Sequence, residues 1–335
     1  MKIFITGATG FIGSELVKEL LKRGHSVHAL FRNPERKNLP ENSRLRYFKG
    51  DILDKTSLLE PMEGCDIVFH LAAYTKVWAK DPTKFYRVNV EGTINVLSCT
   101  KKLNIDKVIV TSTAGVLGPS DKDHVNENSD RSTNFFTEYE RTKFLAEQEM
   151  GRFVREGLNV TILLPTRLYG PGELNESNSV TVLVQKYMQG KWHILPGNGK
   201  KIGNYVFIKD VINGHIKAME NNTPGERYIL GGVNINYEDF FNLIGILSKK
   251  KQWLIPLPVF IMMIISNIFW FLAVIFKIKP LITPGWVKKY LHNWSLTSIK
   301  AIKILNYKIT PLEKGLLETI SWLKTIKEEE EEKIR

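Results

Sequence analysis

The chain has 335 residues, 43% of them apolar and 24% charged, a composition that fits an ordinary globular protein of one large domain or two fused lobes. Its two cysteines, Cys65 and Cys99, stand apart with no Cys or His at metal-ligand spacing, so neither a disulfide framework nor a metal site is expected. The formal net charge of +12 is concentrated: residues 240–312 hold ten lysines and no Asp or Glu, a balance suited to nucleic acid or to an anionic membrane surface.

Lys2 leads straight into Ile3-Phe4-Ile5 and a glycine-rich turn, too short an apolar run for an export signal, so a cytoplasmic protein is expected. Residues 3–6 read as a strand, and 11–23 as an amphipathic helix with Ile12, Leu16 and Leu20 on one face, ended by Gly24. Further strands are expected at 27–31, 45–48, 66–71, 108–112 and 160–164, with helices at 84–103 and 138–156. Near-continuous apolar strands alternating with helices predict an α/β fold, a doubly wound parallel Rossmann sheet over residues 1–168. Residues 169–327 are expected to form a smaller, mostly helical C-terminal substrate lobe, with a strand and helix near 204–220 returning to the first domain. Residues 328–335, with Glu328 to Glu332, read as a solvated, frayed tail.

The turn Thr6-Gly7-Ala8-Thr9-Gly10-Phe11-Ile12-Gly13 follows a strand and opens a helix. Glycines at 7, 10 and 13 permit a tight turn and close approach of backbone to a phosphate, and a helix N-terminus supplies unpaired N–H groups. Gly7, Thr9, Gly10, Phe11, Ile12 and Gly13 are therefore expected to hold a dinucleotide pyrophosphate. At the end of the second strand, where a carboxylate would bond the ribose of NAD, the sequence has Phe31-Arg32-Asn33-Pro34, with Arg36 and Lys37 beyond. Arg32 suits a 2′-phosphate, which favours NADP(H) over NAD(H); stacked on adenine, it would tolerate either. Asp51 and Ile52 are expected near the adenine, and Ala72 and Ala73 are small enough to let the dinucleotide pass.

Tyr139 and Lys143 share one face of a predicted helix at i,i+4 spacing. An ammonium stabilises a phenolate, and moving a tyrosine pKa from about 10 to about 7 takes roughly 4 kcal/mol. Tyr139 would then act as general acid or base. Tyr187 with Lys191 and Tyr205 with Lys209 have the same spacing, but only Tyr139 opens a helix after the strand that ends in Thr111-Ser112-Thr113. Thr113, with Ser112 as the alternative, is expected to orient a substrate carbonyl.

These segments, with Gly50-Asp51, His70-Leu71-Ala72-Ala73, Asn89-Val90-Glu91-Gly92-Thr93 and Leu164-Pro165, resemble the extended short-chain dehydrogenase/reductases of the NAD-dependent epimerase/dehydratase superfamily, in the expected order over roughly the first 230 residues. The resemblance implies catalytic roles for Thr113, Tyr139 and Lys143, with Lys143 also on the nicotinamide ribose. It places Asn89, Thr111 and Pro165 at the cofactor. Thr113 replaces the usual serine and keeps the hydroxyl. The segment 224–232, Lys76-Val77-Trp78 and Asp81-Pro82 resemble the dihydroflavonol 4-reductase-like and 3β-hydroxysteroid dehydrogenase-like branches, whose substrates are largely apolar. Nucleotide-sugar epimerases and dehydratases usually carry Arg-Asp where this chain has Gly203-Asn204, and the loss removes a phosphate contact. Carbonyl reduction, or the reverse oxidation, is the expected activity. A nucleotide-sugar epimerase or dehydratase and a non-enzymatic dinucleotide sensor are the alternatives.

Val259–Phe276 is an 18-residue stretch without a charge, flanked by lysines. As a helix it spans about 27 Å, against about 30 Å of bilayer hydrocarbon. Three readings stand: a cover over the substrate pocket, a helix lying in the membrane interface, and a true span. The expected partners are a small apolar substrate and, through 240–312, a membrane surface at the cytoplasmic face. Nucleic acid is not expected, because bulky aliphatic residues separate the lysines. A homodimer is left open.

Overall fold

The computed structural model describes residues 1–32, 39–120 and 123–334. Arg36 and Lys37, expected beyond Arg32, lie outside the described residues. In chain order, β1 (Lys2–Thr6), α1 (Phe11–Lys22), β2 (Ser26–Phe31), β3 (Leu45–Lys49), α2 (Thr56–Met62), β4 (Ile67–His70), α3 (Thr83–Tyr86), α4 (Gly92–Lys102), β5 (Lys107–Thr111), α5 (Glu138–Arg155) and β6 (Val160–Pro165) make up the first half. Then follow β7 (Arg167–Tyr169), α6 (Ser179–Met188), β8 (Ile194–Pro196), β9 (Ile202–Phe207), α7 (Ile208–Glu220), β10 (Arg227–Leu230) and β11 (Val233–Asn236). The chain finishes with α8 (Tyr237–Ser248), β12 (Ile255–Leu257), α9 (Val259–Phe276), α10 (Pro284–Tyr290), α11 (Ile299–Leu305) and α12 (Leu312–Ile334).

Seven parallel strands form the central sheet in the order β3-β2-β1-β4-β5-β6-β10. Strand order reverses between β1 and β4, and ligands of such sheets bind at the carboxyl ends of the strands beside that reversal. Alternate residues feed opposite cores. Ile3, Ile5, Phe69 and Ile109 pack with α1 and α7, while Phe4, Val68, Val108 and Val110 pack with α4 and α5. Both faces are dry, which is why these strands read as unbroken apolar runs.

The structure corrects three expectations. The strand expected near 205 does not return to the central sheet. It is β9, the middle of a small sheet ordered β11-β9-β7, and only α7 packs back on the first domain. The seventh central strand is β10, which pairs with β6 from Arg227↔Ile162 to Leu230↔Pro165. Gly232 fixes this arrangement, because a Cβ there would stand 1.9 Å from the Tyr205 carbonyl oxygen. Next, the helix expected over 84–103 runs unbroken from Thr83 to Lys102 but includes a π turn, Arg87–Glu91, which carries Asn89. Last, the acidic run, solvent-exposed at Glu328, Glu329 and Glu332 as expected, is helical and continues α12 as far as Ile334. Leu316, Ile320 and Leu323 bury the first turns of that helix, and once nucleated a helix propagates cheaply.

The lobe is thus built from chain on both sides of α7 and β10. Asn204, in β9, joins it to the sheet. Its Oδ1 accepts hydrogen bonds from the Thr166 hydroxyl at 2.7 Å and the Gly232 N–H at 2.8 Å, and its Nδ2 donates to Asn234 Oδ1 at 2.7 Å.

Candidate active site

The loop between β1 and α1 is shaped by its glycines. Gly7 adopts φ +71°, and the Gly10 N–H donates to its carbonyl at 3.0 Å. A Cβ on Gly7 would meet the Ala72 nitrogen at 2.6 Å, and one on Gly13 the Gly7 carbonyl oxygen at 2.1 Å. The loop therefore lies directly against the 71–72 backbone, with the N-terminus of α1 above it, a cradle that fits a pyrophosphate. Thr9 and Ile12 are half-buried. The Phe11 ring is buried against Gly172, which leaves only its backbone N–H for a ligand. Arg32 is exposed at the end of β2. Asp51 Oδ1 accepts the Leu53 N–H at 3.0 Å, and the Ile52 side chain is buried against Gly92.

Beneath this cradle runs a one-way chain of hydrogen bonds. The Ala72 N–H donates to Thr6 Oγ1 at 3.2 Å, and Thr6 Oγ1 lies 2.7 Å from His70 Nδ1. His70 Nε2 lies 3.0 Å from Thr93 Oγ1, which donates to the Asn89 carbonyl at 2.7 Å. Because Thr93 spends its proton on Asn89, the His70 proton sits on Nε2 and Nδ1 accepts from Thr6. Burial, reinforced by the charge of Lys143, pushes the His70 pKa down to about 3. The Asn89 amide is also fully engaged. Its Oδ1 accepts the Tyr74 N–H at 2.7 Å, and its Nδ2 donates to the Tyr74 carbonyl at 3.3 Å and to Thr142 Oγ1 at 3.0 Å. Asn89, placed at the cofactor by resemblance, here holds the loop after β4 to helix α5.

Thr137 caps α5 by accepting the Glu140 N–H at 3.2 Å, so Tyr139 lies in the first turn, just beyond the end of β5. The Thr113 hydroxyl lies close enough to the Tyr139 phenol to act on its ionisation. Ser112, the alternative, turns away and donates to Glu147 Oε1. Burial pushes the Tyr139 phenol well above its ordinary pKa; the nearby Thr113 hydroxyl pulls it down, and the charge of Glu140 pushes it up. The protein alone does not depress the phenol: Lys143 donates to the Thr111 carbonyl, and burial dominates at Tyr139. Lys143 is buried and donates to the Thr111 carbonyl at 2.7 Å. Burial lowers its pKa to about 8 against the opposing pull of Glu147. The side chain of Thr111 does not face the cofactor cleft. Strand alternation turns it to the α7 side, where it bonds His215 Nε2 at 2.8 Å. Pro165 is buried at the end of β6. Tyr187 and Tyr205 lie in the lobe core, stacked on Phe241 and Phe240.

Three charged groups were invisible to sequence reasoning. Glu147 binds Arg227 Nη2 at 3.0 Å, tying α5 to β10. Glu140, fully buried, sits 2.6 Å from Lys289 Nζ of α10 and 3.4 Å from Arg131 Nη2. The sequence hint was Thr137-x-x-Glu140, a helix-capping pattern whose glutamate here accepts the Phe136 N–H at 3.1 Å. Arg167, in β7, stands over the rings of Tyr205 and Tyr237 at 5.7 and 5.2 Å and forms no ion pair among the described residues. A Cβ on Gly203 would lie 3.0 Å from Arg167 Nη1. A guanidinium therefore occupies space beside Gly203-Asn204, where the arginine usual in nucleotide-sugar epimerases is missing.

A family model for the NAD dependent epimerase/dehydratase family matches residues 3–231. The chain is 27% identical to a putative dihydroflavonol 4-reductase of a Synechocystis strain, over 95% of this chain and 93% of that one. It is 32% identical to a putative anthocyanidin reductase of Ginkgo biloba, over 76% and 82%. Among solved structures, gox2253 superposes with a TM-score of 0.80 at 28% identity, covering 96% of this chain and 98% of that one. UDP-glucuronic acid 4-epimerase of Bacillus cereus, solved with UDP-glucuronic acid and NAD, gives 0.77 at 26% identity, covering 97% and 100%. Sequence motifs, strand order and glycine cradle agree, and the chain belongs to the NAD dependent epimerase/dehydratase family, within the extended short-chain dehydrogenase/reductases.

Proposed function

We propose that this protein is an NAD(P)-dependent oxidoreductase that interconverts a carbonyl and a secondary alcohol on a largely apolar substrate. The observation that carries the reading is the placing of the Thr113 hydroxyl beside the Tyr139 phenol at the carboxyl end of β5, with Tyr139 in a helix whose Lys143 is fixed by the Thr111 carbonyl. In this reading Thr113 orients the substrate oxygen, Tyr139 donates a proton to it, and Lys143 carries positive charge and binds ribose hydroxyls. The dinucleotide, held by the 7–13 cradle, supplies the hydride. Burial keeps Tyr139 protonated, the state in which it can donate a proton to a carbonyl oxygen. Arg32, at a strand end without a carboxylate, favours NADPH over NADH. Relatives named as reductases support the same chemistry.

A second reading, epimerisation or dehydration of a nucleotide sugar, is favoured by one observation. Arg167 offers a cation beside Gly203, where an anionic substrate group would find a partner. The two readings separate by cofactor balance. A panel of ketones, sterols and nucleotide sugars is mixed with NADPH or NADH, and reduced-cofactor absorbance is followed. Stoichiometric, ketone-dependent oxidation of NADPH is expected. In Tyr139→Phe turnover falls by about 10²–10⁴-fold while dinucleotide binding is retained. Conversion of a nucleotide sugar with no net cofactor change would overturn the reductase reading, and an unaffected Tyr139→Phe would point to a sensor.

A further inference from the structure

We infer that α9 and the segments beside it form a monotopic membrane-binding face for anionic lipid, lying in the bilayer interface without crossing it. The helix has two unlike sides. Met262, Ser266 and Ala273 are its buried residues, and its main packing partner is α10. On the other side Phe260, Ile264, Ile268, Phe271 and Ile275, spaced three or four residues apart, are 53–66% exposed. A core helix would be mostly buried, whereas only 17% of α9 is. Trp253, Ile255 and Leu281, at 70, 49 and 79% exposure, extend the apolar surface past both ends of the helix. An apolar face of this extent is unusual on a protein surrounded by water and marks an interaction surface.

Charge selects the occupant. Lys249, Lys250 and Lys251 lie exposed before the helix and Lys277 after it, and no carboxylate occurs anywhere in residues 240–312. Lys279 is paired with Glu176, so the free charge lies mainly in the other four. Apolar side chains rimmed by lysine suit the headgroup boundary of an anionic bilayer. The polar residues within α9 do not oppose insertion. The Ser266 hydroxyl and the Asn267 amide both donate to the Met263 carbonyl, at 3.0 and 2.7 Å, and are satisfied inside the helix.

The anchoring of both ends decides between lying in the interface and crossing it. Before α9, β12 pairs with β8, and the Ile255 N–H donates to the His193 carbonyl at 2.8 Å. After it, Lys277 takes φ +52°, ends the helix and turns the chain back towards buried Pro280 and Thr283. There α10 is held by the Lys289–Glu140 ion pair, and its Gly285 packs on the Phe136 carbonyl. Both ends of α9 thus belong to one folded body. A span would carry one end across the bilayer and strip β12 or α10 from that body.

The test uses the full chain and flotation with vesicles of phosphatidylcholine alone or mixed with phosphatidylserine. Binding to the mixed vesicles, weakened by salt, is expected. Replacing Lys249, Lys250 and Lys251 together by Gln should weaken it on the order of 100-fold, at about 1 kcal/mol per lysine. Ile264→Asp/Phe271→Asp should abolish binding while leaving the circular dichroism spectrum and urea midpoint unchanged, because both side chains face outward. In a protein with Cys65 and Cys99 replaced by Ala, single cysteines at Lys251 and Lys279 should both react with an impermeant maleimide added outside the vesicles. Reaction at only one of them would mean a span. Failure to float, or a soluble oligomer that shields α9, would mean a protein partner. Each of these results overturns the inference.

Discussion

Lys143 gives the sharpest test of how the active site is held together. Its side chain is buried, and burial lowers its pKa from about 10.4 to about 8. At neutral pH the folded protein still carries that charge, at a cost of about 3 kcal/mol relative to the exposed amine. Below about pH 8 both folded and unfolded chains hold the proton and the cost is fully present. Between about 8 and 10.4 only the unfolded chain holds it, so stability rises with pH there. Lys143→Met removes the charge at similar volume and leaves the Thr111 carbonyl without its donor, a loss of about 1–3 kcal/mol. Glu147 keeps Arg227. The variant should therefore be inactive yet no less stable than wild type at pH 7, by up to about 2 kcal/mol more stable. Its advantage should shrink by about 3 kcal/mol on going to about pH 10, because only the wild type regains stability. Urea denaturation of both proteins at the two pH values measures this. A variant clearly less stable at pH 7, or a difference that does not change with pH, would refute the reasoning.

Gly13→Ala places a methyl group 2.1 Å from the Gly7 carbonyl oxygen, so the cradle must open. Dinucleotide affinity should fall by about tenfold or more, read from NADPH fluorescence, and an unchanged affinity would separate the loop from the cofactor. Arg32→Ala should weaken NADPH by about 10–100-fold and leave NADH unaffected; equal losses for both would mean that Arg32 stacks on the adenine instead. Glu140→Ala leaves Arg131 and Lys289 partly buried without their carboxylate, and should cost about 3–5 kcal/mol in urea denaturation. A loss below about 1 kcal/mol would show that water already screens the cluster.

Much of the first domain was legible because its signals are local. β1 to β6, α1 and α5 each announce themselves by an apolar run or a helical stripe, and the 6–13 turn lies between two of them. β10 did not, because four residues have too short a pattern to reveal a strand added to a sheet more than sixty residues after β6. The π turn at Arg87–Glu91 was missed because its register depends on what Asn89 bonds across the cleft. The site was read one residue type at a time, and its ion pairs escaped for that reason. Glu140 and Lys289 are far apart in sequence, and Arg167 reaches Gly203 only once β7 pairs with β9. Thr111 was assigned correctly to the strand end but to the wrong face, since a hydroxyl at a carboxyl edge does not disclose which way it turns.

The hydrogen-bond chain beneath the cradle has a consequence for kinetics. His70, at about 3, and His215, at about 4, both stay neutral across the range in which an enzyme is normally assayed. Each is held in one tautomer by neighbours that have no second proton to give. Both imidazoles are therefore electrically silent. If the rate profile of this enzyme bends near pH 8, neither of these imidazoles can be the source, and the ionisation of Lys143 is the place to look.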